Sequence, residues 1–318
     1  MVAPPVAPAP GAAAPAPSGR GRRAPRRHRP RESLTGYLFI TPQALGFTLF
    51  VLVPLVAIVV LSFTHTDLRS GRSEIAGWDN YRRLLTEDPT FWQSVAVTGV
   101  FALGLVAINV GLSLALALVL YRRPPGAGLF LTLAFLSVVT SQAAWALVWR
   151  FLLQGQGGGV NELLSLVGIT GPNWLFEARP ALAAVIVVAA LKTVGLKAVI
   201  FLAALRNIPA ETLEAARLDG ASEWRVIRHV VLPLIAPTTL VVVLITFIGS
   251  FQVFDYIQLM THGGPSHATS VLAFYLYEQA FELFRAGYAS AIAVVLFGLT
   301  LLLVAAQWWA RRRWVHGE

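Results

Sequence analysis

Six long apolar stretches separated by polar segments dominate the chain: 37–63, 94–121, 127–149, 181–205, 234–258 and 286–309. Each is long enough to cross a bilayer, which takes roughly 20 residues of helix. Lipid offers the backbone no hydrogen-bond partner, so each stretch is expected to be helical. Four carry no charged residue; the fourth holds Lys192 and Lys197, and the fifth holds Asp255. Pro42, Pro54 and Pro237 are tolerable near span ends or against neighbouring helices. Trp145, Trp149, Trp308 and Trp309 fall at span ends, where amphipathic rings settle at headgroup level. The expected class is an all-α integral membrane protein with six transmembrane helices.

Composition agrees. Of 318 residues, 56% are hydrophobic and 13% charged, with mean hydropathy +0.66, whereas a soluble domain averages about 25% charged. The absence of cysteine excludes disulfide frameworks and thiolate metal sites. The net charge of +9 would suit nucleic acid if it formed a patch, but it does not. Seven arginines precede residue 32 and three close the chain, Arg311, Arg312 and Arg313. Charge clustered beside apolar spans is a topology signal, and no nucleic-acid partner is expected. Residues 1–36 form a Pro/Ala/Gly-rich, then Arg-rich tail, too poor in apolar residues to order itself. An orientation signal is favoured there over an anionic-lipid contact, and the long apolar run that follows does not suit a secretory signal peptide. With the N-terminus inside, sixteen Lys/Arg lie in inner segments and seven in outer ones. The positive-inside rule therefore places both termini, the second being the basic tail 310–318, in the cytoplasm of a plasma (inner) membrane, and leaves 64–93 outside.

That orientation makes 206–233 a cytoplasmic loop. Pro209 suits the first turn of a helix, and Glu211 favours its positive end. Glu214, Ala215, Ala216, Arg217 and Leu218 continue as good helix formers. Asp219-Gly220 stops the helix, since glycine adopts the left-handed cap conformation cheaply. Ser222 caps a second short helix to about Val231, and Pro233 opens the fifth span. Helix, glycine turn, helix reads either as a docking element or as a connecting loop with no partner.

Here the residues carry a resemblance. Glu214-Ala215-Ala216, three residues, Gly220, nine residues, then Val230-x-Leu232-Pro233 resembles the EAA loop of binding-protein-dependent ABC importer permeases, with Val230 where the family usually has Ile. The run EAARLDGA resembles the carbohydrate branch, which includes maltose, oligosaccharide and glycerol-3-phosphate permeases. Gly77, Asn80 and Tyr81 resemble that branch's GxxNY segment. Thr261, Gly263, Gly264, Pro265 and Thr269 resemble its TxGGPxxxT outer loop, and Tyr275 to Ala291 its entry to the last span. The resemblance spans about Leu34 to Arg313.

It implies the type I ABC importer permease fold, with the core at 94–309. It implies partners: an ATPase dimer, a second permease, usually a different chain, and an extracytoplasmic solute-binding protein delivering a carbohydrate. The Glu214–Gly220 helix would sit in a groove of one ATPase, making Glu214, Ala215, Ala216, Asp219, Gly220, Leu232 and Pro233 the coupling set. A loaded binding protein must favour the state that ATP favours. The chain has no G-x-x-x-x-G-K-[ST] phosphate loop, so ATP and Mg are expected on the partner and no cofactor on this chain. Its histidines make no H-E-x-x-H or other metal spacing, and there is no G-x-S-x-G elbow. No catalytic residue is expected.

Within the spans, Lys192 costs roughly 2.5–3.5 kcal/mol on insertion scales if left in lipid, so it should face protein or water. It reads equally as a group in the solute path or as a structural partner to Asp255 or to a broken-helix carbonyl. Lys197 reads as a snorkelling side chain. Asp255, in a Phe254-Asp255 pair common in the family, reads as structural or gating. Asn109, Gln142, Gln252 and Tyr256 are pathway candidates, though interhelical hydrogen bonds are the commoner use. Gly263-Gly264-Pro265 reads as a binding-protein contact or, more simply, as a tight turn. Two rivals are an ion-coupled secondary transporter, for which Lys192 and Asp255 are a thin basis and no clear repeat is visible, and a non-transporting membrane scaffold, which gives the EAA loop no purpose.

Overall fold

A computed structural model describes residues 30–315. The chain divides after Pro54 into two compact units. The described part of the first holds α1 (Pro30–Phe47) and a π-helical turn, Thr48–Leu52, before α2 (Val53–Leu61) begins.

In the second unit, the rest of α2 is followed by a small antiparallel hairpin of β1 (Thr64–Thr66) and β2 (Ser73–Ile75), Thr64 facing Ile75 and Thr66 facing Ser73. Asp67 Oδ1 shapes its turn by accepting from the backbone N–H groups of Ser70 and Arg69, 2.8 Å each. Those bonds, that of Ser70 first, hold its carboxyl below the usual carboxylate range. Asn80, on α3 (Asp79–Thr86), donates to the carbonyls of Ser62 (2.8 Å) and Thr64 (2.9 Å). Tyr81 meets the Ser62 hydroxyl at 2.7 Å. The Asn-Tyr pair of the GxxNY segment thus fastens α3 to the hairpin.

α4 (Pro89–Tyr121) starts five residues before the apolar stretch because Pro89 fills its first turn and Asp88 caps it, accepting from Phe91 N–H at 3.1 Å. Its most extensive partner is α8 (Ala178–Arg206). α8 buries most of its surface inside the chain, including Ala184, Val188, Ala198 and Phe201. Gly195 brings the α8 backbone so close to α5 (Ala127–Val139) that a Cβ there would lie 2.5 Å from the Ala134 carbonyl oxygen.

Two apolar stretches expected as single helices are not. The stretch 127–149 breaks at Thr140-Ser141 into α5 and α6 (Gln142–Leu152), bent by 105°. Thr140 and Ser141 take extended backbone, and Ser141 Oγ caps α6 by accepting from Ala144 N–H. After α7 (Gly159–Ser165), α8 and α9 (Ala210–Leu218) comes the second departure. α10 (Glu223–Val226), a π-helical turn and α11 (Leu232–Leu234) form one run, Glu223–Leu234, which bends by 68° into α12 (Ala236–Phe251). Pro237, rather than Pro233, lies in the first turn of α12. α12 ends seven residues before the stretch does, and a π-helical turn, Ile257–Thr261, follows. α13 (Leu272–Tyr277) and α14 (Ala286–Val315) complete the chain. Among the described residues, four helical segments are long and apolar enough to cross a membrane, Phe39–Leu61, Pro89–Tyr121, Ala178–Arg206 and Ala286–Gln307, or up to six if each bent pair is one span. The tail 1–36 lies outside the described residues except for its last few, and the basic end outside them after Val315.

Candidate functional site

The 206–233 loop folds from its own sequence. Pro209 sits at the N-cap of α9, one position before the first helical residue, and Glu211 lies in the first turn. At the other end Gly220 has φ +77°. Ala221 N–H donates to the Ala216 carbonyl (3.1 Å) and Gly220 N–H to that of Arg217 (3.0 Å). These two bonds make a Schellman stop. A Cβ on Gly220 would meet nothing within 4 Å, so only the backbone conformation calls for glycine there.

Leu213 and Val226 turn inward against Phe201, Leu205 and Val231. Glu214, Ala215, Asp219 and Gly220 face outward, Ala216 and Leu232 are half-buried, and Pro233 is exposed. Two large apolar side chains flank the glycine turn, Leu218 at 88% exposure and Trp224 at 67%. Glu223 accepts from Arg217 (3.2 Å) on α9 and Arg122 (3.3 Å) just after α4, tying the loop to the end of α4. Exposed pairs of this kind are worth little energy, and orientation is their main effect.

Gln93, near the start of α4, donates from Nε2 to the Ser266 carbonyl at 3.1 Å. The 206–233 and 263–267 loops therefore lie at opposite ends of a 33-residue helix, about 50 Å apart at 1.5 Å per residue. In the second loop Gly263 has φ +75°, and a Cβ there would lie 2.5 Å from the Phe274 ring. Thr269 Oγ1 pairs with Thr261 Oγ1 (2.7 Å) and donates to the Gly264 carbonyl (2.8 Å). The glycines and threonines of this motif thus build a closed turn, and Pro265 is part of it.

Between the two ends, Lys192 Nζ donates to the carbonyls of Ser137 and Thr140, 2.6 Å each, where α5 stops. It also lies 5.7 Å from the Trp145 ring centroid. Trp145 Nε1 in turn donates to the Val188 carbonyl on α8 (3.0 Å). Lys192 thus serves a broken-helix carbonyl; among the described residues no ion pair joins it to Asp255. Lys197 does not snorkel: it is 8% exposed and donates to Thr193 Oγ1 at 3.1 Å. Thr193 Oγ1 donates to Asn109 Oδ1 on α4, also 3.1 Å. Tyr256 is a core residue beside Ile257 and Phe274. Gln142 is exposed at the start of α6, Gln252 is exposed just past α12, and Asp255 is half-buried.

One cluster was not anticipated from sequence. Asp88 Oδ2 accepts from the Tyr275 hydroxyl at 2.5 Å and from the Tyr288 hydroxyl, and Arg83 lies over the Tyr288 ring. Burial, then the Asp88 hydrogen bond, push the Tyr275 hydroxyl well above its usual value. The Asp-Pro pair opening α4 was its one available signal.

The family described as "Binding-protein-dependent transport system inner membrane component" matches residues 107–315. The chain belongs to this family of permeases. A similar relative is the "Probable ABC transporter permease protein YesP" of Bacillus subtilis, 33% identical over 291 residues, covering 91% of this chain and 94% of that one. Another is the "Trehalose/maltose transport system permease protein MalF" of Thermococcus litoralis, 31% identical over 274 residues, covering 85% and 91%. The same fold occurs in a bacterial ABC transporter "involved in the import of the acidic polysaccharide alginate", with TM-score 0.77 and 22% identity over 89% of this chain and 96% of that one. As an inner-membrane permease, the chain places its outward-facing EAA residues at one end of α4 and the GGP turn at the other.

Proposed function

We propose that this permease imports a carbohydrate, delivered by an extracytoplasmic solute-binding protein and driven by ATP hydrolysis on separate subunits. The observation carrying the reading is the α9 stop: a helix that leaves Glu214, Leu218, Asp219 and Gly220 facing outward, anchored through Glu223 to the end of α4. Such a helix is a lever. An ATPase gripping it would move α4 and α8 together, because both α9 and the α4 end share the apolar cluster of Phe201, Leu205 and Leu213. The carbohydrate class is supported by the trehalose/maltose relative and by the EAARLDGA run. The binding-protein partner is supported by the family's description. The Lys/Arg asymmetry supports a cytoplasmic 206–233 loop with both termini on that side. The GGP turn would then face the binding protein, and a second permease would complete the path.

The test is co-expression with the proteins encoded beside it, purification through a tag on this chain, and an ATPase assay with and without the candidate binding protein and sugars. An ATPase that co-purifies and is stimulated by one loaded binding protein is the expected result. A chain that purifies alone from intact membranes, with no ATPase recruitable, removes the reading.

A further inference from the structure

The two lysines of α8 differ in how their donors are used. Lys192 has two carbonyl acceptors and an aromatic face, as described above. Lys197 has a single partner, the Thr193 hydroxyl. An ammonium has three protons and no lone pair, so Thr193 must accept from it and pass its own proton on. Asn109 Oδ1 is the nearer acceptor for it, at 3.1 Å against 3.4 Å for the Ala190 carbonyl. That leaves the Asn109 amide group, in a residue 0% exposed, with Nδ2 facing no acceptor. Ser113, one turn on, spends its hydroxyl on the Asn109 backbone carbonyl. The cluster thus ends with spare N–H donors on Lys197 and on Asn109. No carboxylate lies within ion-pair distance of Lys197 among the described residues.

Donors in excess, one of them cationic, inside the buried α4–α8 contact, are best met by an acceptor carrying negative charge. A sugar hydroxyl can accept from these donors but brings no charge to offset the ammonium. We propose that Lys197, Thr193 and Asn109 form an intramembrane site for an anionic oxygen group, a carboxylate, sulfonate or phosphate, on the transported solute. This rests on the importer reading and narrows it: the cargo is an acidic sugar derivative. In the state described here the site is closed, with Lys197 only 8% exposed, so it accepts the anion in a different state of the transport cycle.

The test uses the assembled complex, this chain with its co-encoded permease and ATPase, in nanodiscs. The probes are radiolabelled glucuronate and glucose, which share a ring and differ by a carboxylate. Wild type is expected to bind glucuronate about tenfold tighter than glucose, the scale of one charge-assisted contact. Lys197→Gln is expected to abolish that preference and Lys197→Arg to keep it. A wild type without preference, or a preference that survives Lys197→Gln, overturns the proposal. So does a third outcome: if Lys197→Gln no longer retains the second permease while Lys197→Arg does, the anion is a carboxylate of that neighbouring subunit. Failure of the importer reading itself shows separately, as a complex that recruits no ATPase.

Discussion

Lys192 Nζ lies 2.6 Å from the carbonyl oxygen of Thr140, the residue at which α5 ends. A side chain of α8 therefore supplies the donor that the broken helix lacks. The carbonyl that loses it has no water to turn to inside a bilayer.

Lys192→Met should strip two carbonyls of their partner and cost about 1–3 kcal/mol, the usual penalty for an unsatisfied buried group. Circular dichroism of the detergent-solubilised chain should show a lower thermal midpoint. An unchanged midpoint with weakened solute binding would instead assign Lys192 to the path.

Gly220→Trp should insert normally and abolish ATP-driven uptake. The backbone penalty for leaving glycine at φ +77° is about 1–2 kcal/mol, and the side chain has open space to occupy, so the fold survives. What it obstructs is whatever docks there. Full uptake by this variant would sink the docking role of the turn.

Glu214→Lys reverses a charge on the exposed face of α9 without touching its packing residue, Leu213. The ATPase should co-purify less well, and the loss should be largest at low salt, where the reversed charge is least screened. Unchanged recovery of the ATPase would count against this face.

Gly263→Ala should be far more damaging to the isolated chain than any substitution at Gly220. Its Cβ would press into the Phe274 ring, itself 1% exposed. Proteolysis of the 263–267 loop in intact membranes should accelerate.

Asp88→Asn should weaken the link between α4, α13 and α14 by about 1–3 kcal/mol through the lost charge on two hydroxyl bonds. The pH dependence has a defined sign. The Tyr275 hydroxyl is raised above the ordinary tyrosine value of 10.0 in the folded state, so the native form holds that proton more tightly than the unfolded one. Its contribution is complete below about pH 10 and disappears as pH rises above it. A wild-type thermal midpoint that climbed above pH 10 would contradict this.

The parts written in local chemistry could be read in advance. Pro209, Glu211 and Asp219-Gly220 marked both ends of α9 to within a residue. The two bends could not be. Thr140-Ser141-Gln142 is only a three-residue polar break in a long apolar stretch, and the extended backbone there is held by Lys192, 52 residues from Thr140 in sequence. Likewise Lys197 looked free to snorkel because nothing nearby in sequence announces Asn109, 84 residues before Thr193. Long-range acceptors decide Lys192, and a long-range neighbour of Thr193 helps to bury Lys197; hydropathy carries no information about either.

The stop at Gly220 bears on how the machine cycles. All of its hydrogen bonds are internal to the loop, so α9 is shaped before anything touches it. A partner seating on it loses little conformational freedom to order the loop, and affinity depends on the contact itself. Grip and release can then alternate many times a second with no refolding between strokes, as a ratchet tooth does not have to be cut anew for each turn.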